Sequence, residues 1–309
     1  MNKLSKLLVV LFFITAIKSP AQDFFPLWPK DKKPNFNGKI VTDSVSNERI
    51  WRVGTPGFYA FPVPKAENKG TAVLICPGGG LERLNSIYDG FQFARWYNAH
   101  GINAFVLIYR LPHQADLQER AIAPLQDAQR AMRLIRGHAA TWGIKPDKIG
   151  VTGNSAGGYV ASALGTHVED VSAIKDSMDG VSFRPNFMLL FWPVITMGPS
   201  AHPGSKKNLL GGDTSKAMIE KYSNELHVSA STPPAFIVHT QYDSIVSVKN
   251  SLLFYNALVE NNVSAALHIF PQGGHGVRLV DSPGSSALWL NLLELWLNEK
   301  GFTAPIVRK

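Results

Sequence analysis

Ser155, Asp243 and His275 are the residue types of an acyl-transfer catalyst, and each stands in a sequence context suited to that work. Ser155 is the centre of Gly153-Asn154-Ser155-Ala156-Gly157, inside GVTGNSAGGYVAS (150–162). A serine hydroxyl is a weak nucleophile until a neighbouring base takes its proton. His275, with glycines before and after it in FPQGGHGVRL, is the candidate base. Asp243, in VHTQYDSIV, is the candidate acid that orients the imidazole. The chain order Ser, Asp, His differs from the trypsin and subtilisin orders. A fourth element is PGGG (77–80), whose Gly79 and Gly80 amides, with that of Ala156, are the candidate oxyanion hole. Losing one such donor typically costs about 3–4 kcal/mol of transition-state stabilisation.

Any one of these signals alone is weak, because a chain with 26 glycines matches a Gly-x-Ser-x-Gly pattern easily by chance. Their placement gives them weight. TAVLIC (71–76), INAFVLIY (102–109), KIGVTG (148–153), FMLLFW (187–192), AFIVHT (235–240) and AALHIF (265–270) read as strands, most of them largely apolar runs without alternation, as strands buried on both faces are. Helical stretches lie between them, at 90–101, 121–142, after 153, at about 247–261 and at 285–299. Over 121–142 the apolar residues Leu125, Ala128, Met132, Ile135, Ala139 and Trp142 recur every three or four positions. Alternating strands and helices predict an α/β fold with a mainly parallel central sheet and helices on both faces. Sites in such sheets form beyond the carboxyl ends of the strands. PGGG, Ser155, Asp243 and His275 all fall just there, and Ser155 has the strand–turn–helix setting of a nucleophile elbow. Short alternating runs within 38–63, including FYAFPVP, predict edge strands, and 163–186 reads as an insertion over the sheet's top edge.

Lys3 and Lys6 precede the apolar run LLVVLFFITAI (7–17), and Ser19 and Ala21 fit a cut before Gln22. This is the order of a secretory signal peptide, and the run is short of the roughly 20 residues that a membrane span needs. The expectation is a signal over 1–21, cleaved near Ala21, and one α/β domain over 22–309, secreted or periplasmic, with no membrane span in the mature chain. Hydrophobic residues make up 45% and charged ones 17%, an ordinary globular balance. Of the net charge of +8, three positive charges belong to Lys3, Lys6 and Lys18; the remaining basic residues are scattered and predict no nucleic-acid partner. The single cysteine, Cys76, rules out an internal disulfide and reads as a buried strand residue.

Other chemistries fit poorly. The glycines lack the Gly-Lys-Ser/Thr ending of a phosphate loop, and the nine histidines include no His-Glu-x-x-His, so no metal site is expected. His239 reads as a structural histidine inside a strand. His202, in SAHPGSKKNLLGG, suits equally a place in the site or a loop cap. Arg110 is expected in a structural ion pair with Asp127, and Trp28 and Trp192 in the core.

Taken together, TAVLICPGGGLERL, INAFVLIYRLP, PLQDAQRAMRLIR, IGVTGNSAGGYVAS, HPGSKKNLLGG, TPPAFIVHTQYDSIV and FPQGGHGVRL resemble the secreted α/β-hydrolase esterases of carbohydrate-degrading bacteria. These are the acetyl xylan esterase-like enzymes near the hormone-sensitive-lipase-like group, and the match spans about residues 50–300 in order. The resemblance implies the α/β-hydrolase fold and removal of acyl groups, often acetyl, from plant glycans without a metal or cofactor. It carries the triad onto Ser155, Asp243 and His275 and the oxyanion loop onto 77–80. Two positions depart from the family pattern: Leu81 follows the glycines where an aromatic residue is common, and Tyr242 precedes Asp243 where a second acid is common. A serine peptidase of the dipeptidyl type, another carboxylesterase or lipase, and a non-catalytic glycan-binding relative are the alternatives. The glycan, the acyl position and the oligomeric state stay open.

Overall fold

A computed structural model describes residues 22–29, 32–277 and 279–303. The expected signal over 1–21 lies outside the described residues. Among the described residues no helix is long and apolar enough to cross a membrane.

In chain order the strands are β1 (Phe24–Pro26), β2 (Ser44–Ser46), β3 (Arg49–Arg52), β4 (Gly57–Phe61), β5 (Thr71–Cys76), β6 (Ile102–Ile108), β7 (Ile149–Asn154), β8 (Met188–Phe191), β9 (Ala235–Thr240) and β10 (Ala265–Phe270). The helices are α1 (Gln92–Ala99), α2 (Ala123–Gly137), α3 (Ala156–Thr166), α4 (Pro203–Leu210), α5 (Lys216–Lys221), α6 (Lys249–Glu260) and α7 (Trp289–Glu299). Eight strands form one sheet in the order β1-β4-β6-β5-β7-β8-β9-β10. From β6 to β10 every neighbouring pair is parallel, while β4 on β6 and β1 on β4 are antiparallel. The alternating run FYAFPVP therefore supplies β4, one strand in from an edge that β1 occupies, while β2 and β3 pair separately.

The strand order reverses at β5: the chain steps one way to β6, then crosses back to β7 and onward. Right-handed crossovers then put α1 on one face and α2, α3 and α6 on the other. Contacts agree with this division. The α2 and α3 helices pack together. On the opposite face Phe93 of α1 meets Trp289 of α7, with ring centroids 6.3 Å apart. The central strands β5, β6, β7, β8 and β9 are buried at every residue, which is why their sequences are largely apolar on both faces, with Thr71, Asn103, Thr152, Asn154, His239 and Thr240 as the buried polar exceptions.

Two expectations about the periphery need correction. The interval 163–186 does not lie over the site edge. Helix α3 runs on to Thr166, and the rest is drawn against α2, where Arg130 pairs with Asp176 at 2.5 Å and Arg133 with Asp170 at 2.7 Å. The helix expected over 121–142 ends at Gly137 and is followed by a separate 3₁₀ turn at Ala139–Trp142. Arg110 and Asp127 form the expected buried ion pair, at 2.8 Å. Trp28 is in the core and donates its indole N–H to Asp127 Oδ1 at 2.9 Å, tying the N-terminal segment to α2.

Candidate active site

Ser155 sits between β7 and α3 with φ 53° and ψ −123°, a conformation that ordinary residues rarely adopt. The turn is locked from both sides. The Ser155 amide donates to Phe191 O at 3.0 Å, and the Ser155 carbonyl accepts from Gly158 at 3.0 Å and Val194 at 2.9 Å. The sequence permits this turn only because Gly153 and Gly157 have no side chain: a Cβ on Gly153 would strike the Gly157 carbonyl, and one on Gly157 the Cys76 carbonyl. The serine oxygen is thereby held clear of the sheet at the positive end of α3.

His275 lies in the loop after β10. Thr240, the last residue of β9, donates its hydroxyl to Gly274 O at 2.8 Å and holds that loop over the serine. The ring bridges the other two groups, with Nε2 2.9 Å from Ser155 Oγ and Nδ1 2.8 Å from Asp243 Oδ2. An ionised carboxylate only accepts, so Nδ1 carries the proton and Nε2 is free to take one from serine. The side chain of Asp243 is fully buried. Its Oδ1 accepts from the amides of Ile245 and Val246, each at 2.9 Å. Burial alone would raise this carboxyl, but the donors His239, His275 and the Val246 amide outweigh it and hold the group well below the usual carboxylate range. The three sequence-selected residues thus meet in one hydrogen-bonded chain.

Gly79 and Gly80 line the same cavity as Ser155 and His275. Their φ values, 130° and 70°, belong to the region that favours glycine, and Leu81 continues the turn at 56°. Their amides donate to no backbone acceptor among the described residues. The Ala156 amide is the first of α3 and so has no partner within the helix. The Gly80 carbonyl accepts from Asn208 Nδ2 of α4 at 3.0 Å, which pins the glycine turn to that helix.

The cavity measures about 630 Å³ and is lined elsewhere by Glu82, Arg83, Asn85, Asp89, His202 and Trp192, among others. Trp192 is buried, as expected, yet one edge of it faces the cavity. His202 both caps α4, accepting from the Ser205 amide at 3.1 Å, and lines the cavity. Cys76 is fully buried, and burial pushes its thiol far up, so it takes no part as a nucleophile.

Sequence reasoning did not bring two residues to the site. Asp89 lies in a π-helical turn, Ser86–Phe91, close enough to Gly78 that a Cβ there would come within 2.8 Å of its Oδ2. It accepts from Asn85 Nδ2 at 3.2 Å. Burial pushes its carboxyl up to about 6, against the lowering pull of Asn85, the Gly78 amide, His275 and Asn154. His239 is buried in β9 as expected of a structural histidine, but its Nε2 also lies 3.2 Å from Asp243 Oδ2.

Residues 61–258 match the family model described as BD-FAE. An acetylxylan esterase of Xylanibacter ruminicola is 36% identical over 212 residues, 67% of this chain and 41% of that protein. An endo-1,4-beta-xylanase B of Butyrivibrio fibrisolvens is 35% identical over 228 residues, 73% of this chain and 35% of that protein. The matched region thus spans well under half the length of either curated relative. The solved structure of an acetyl ester-xyloside bifunctional hydrolase from Caldicellulosiruptor lactoaceticus superposes with a TM-score of 0.79 at 35% identity. It covers 92% of this chain and 98% of that one.

Proposed function

Because the chain belongs to the BD-FAE family, with the α/β-hydrolase fold expected from its sequence, we propose that it is a carboxylic ester hydrolase that removes short acyl groups, acetyl above all, from xylan or related plant oligosaccharides. The observation that carries the reading is the chain from Ser155 Oγ through His275 to Asp243, at 2.9 and 2.8 Å, opening into one polar cavity. The acetylxylan esterase and the acetyl ester-xyloside hydrolase among its relatives support the choice of acyl group and sugar.

In the proposed cycle His275 Nε2 takes the Ser155 proton as Oγ attacks the ester carbonyl. The Gly79, Gly80 and Ala156 amides hold the oxyanion, and Asp243 stabilises the imidazolium. The imidazolium gives its proton to the departing sugar hydroxyl, leaving an acyl-enzyme on Ser155. Water, deprotonated by His275, attacks that ester, and the proton returns to Ser155 Oγ as the acid leaves. On the same reading the domain is single over 22–309, and residues 1–21 are a signal removed near Ala21 that sends the chain out of the cytoplasm.

Incubation with an alkyl fluorophosphonate, followed by peptide mass spectrometry, tests the reading. One adduct on Ser155, with parallel loss of p-nitrophenyl acetate hydrolysis, is the expected result. Full activity after labelling, or an adduct elsewhere, overturns it. N-terminal sequencing of the exported protein tests the cut before Gln22.

A further inference from the structure

The histidine at the head of α4 is built into the wall of the cavity in one fixed tautomer. Its Nδ1 receives the Ser205 backbone N–H at 3.1 Å and lies 2.9 Å from the Ser205 hydroxyl. A backbone N–H can only donate, so Nδ1 is bare and the ring proton is on Nε2. That Nε2–H has no hydrogen-bond partner among the described residues, while the ring lines the cavity beside Gly79, Gly80, Ser155 and His275. The ring is close against the oxyanion turn: a Cβ on Gly80 would lie 3.9 Å from His202 Cε1 and one on Gly204 only 3.1 Å. The same helix also pins that turn, through Asn208 Nδ2 on the Gly80 carbonyl at 3.0 Å.

The ring is also kept neutral. Burial lowers its pKa and the charge of His275 lowers it further, with Asp243 pulling the other way. The helix N-terminus acts in the same direction as burial. Neutrality suits a residue beside His275, which becomes cationic in each half-reaction; a second imidazolium there would oppose it. A neutral imidazole at a helix N-terminus that donates through its far nitrogen is a known catalytic device.

We propose that His202 contacts substrate directly, donating its Nε2–H to an oxygen of the sugar that carries the ester. The proposal rests on the sugar-ester reading above. An acetyl group occupies a small part of a cavity of about 630 Å³, and the remainder is walled by Glu82, Arg83, Asn85, Asp89 and Asn208, groups that match hydroxyls rather than an acyl chain. A site built to hydrogen-bond a hydroxyl discriminates against substrates that lack one.

His202→Asn separates this role from capping, since asparagine is a good N-cap but cannot reach as far as Nε2. The expected result is a fall of about tenfold in kcat/KM on acetylated xylooligosaccharides, with p-nitrophenyl acetate changed by less than about twofold. Unchanged sugar-ester activity would reduce His202 to a cap, and an equal fall on both substrates would assign it to the acyl machinery; either overturns the proposal. A wild type active on the aryl ester but inert towards sugar esters overturns the substrate reading and this proposal with it. That failure is visible before any variant is made. Imidazole ¹⁵N spectroscopy gives an independent check, with His202 protonated at Nε2 at neutral pH; a proton on Nδ1 overturns the proposal.

Discussion

His239 and Asp243 are in contact across the end of β9, with Nε2 3.2 Å from the same Oδ2 that accepts from His275. Nε2 also lies 3.0 Å from Val246 O, which can only accept, so the His239 proton is on Nε2 and is shared between the two oxygens. Nδ1 in turn accepts from Ser251 Oγ at 2.7 Å. The candidate catalytic carboxylate is thus held by two histidines on one oxygen and two amides on the other.

His239→Phe leaves Asp243 buried with one donor fewer. At pH 7 the variant is expected to be less stable than wild type by about 2 kcal/mol, the worth of a hydrogen bond to a charged group. Asp243 titrates below its unfolded value in the wild type, so its stabilisation is present above about pH 4 and is lost as pH falls through the lower folded value. The penalty of the substitution therefore shrinks as the pH drops below 4. Thermal melts between pH 3 and 8 read it, and a penalty independent of pH would mean that His239 only fills space.

Asp89 behaves in the opposite sense. Its folded pKa of about 6 exceeds the ordinary value of 3.8, so the folded state binds the proton more tightly. Its favourable contribution is complete below about pH 4 and disappears as the pH rises through 6. Asp89→Asn is neutral throughout. Its stability relative to wild type should improve between pH 4 and 7, by about 3 kcal/mol at most. Denaturant melts at the two pH values measure this. A constant difference would show that the carboxyl is ionised in the fold across the whole range.

Gly157→Ala places a methyl group against the Cys76 carbonyl, a backbone atom that cannot turn aside. The elbow must shift, and a displacement of about 1 Å at Ser155, the proposed nucleophile, costs on the order of 100-fold in rate. The expected phenotype is a folded protein with esterase activity down by at least that factor, read by p-nitrophenyl acetate hydrolysis beside circular dichroism. Wild-type activity would mean that the tight turn at Ser155 is dispensable.

The sheet and the Ser–Asp–His chain were legible in the sequence for one physical reason. Parallel strands such as TAVLIC and INAFVLI are buried on both faces and so lose their alternation; PGGG, Ser155 and Asp243 come just after such buried strands, and His275 comes a few residues after the half-buried edge strand β10. Chain order then sufficed to bring Ser155, Asp243 and His275 to one edge. What stayed hidden depends on contacts distant in sequence or on turns without a signature. The pairing of β1 outside β4 is set by three-dimensional register. The π-helical turn that presents Asp89 has no residue pattern that marks it. The strand position of His239 was readable, but its contact with Asp243 arises only because the chain doubles back after Thr240. His202 gave two readings from sequence, cap and cavity wall, and the structure assigns it both.

Acetate release from acetylated xylan by the wild type and by Ser155→Ala is the most direct measurement of the central claim. The wild type is expected to release acetate continuously, and the variant at a rate lower by at least about 10³-fold, since only the oxyanion site and binding remain to it. Equal rates for the two proteins, or no acetate from the wild type, would contradict the account.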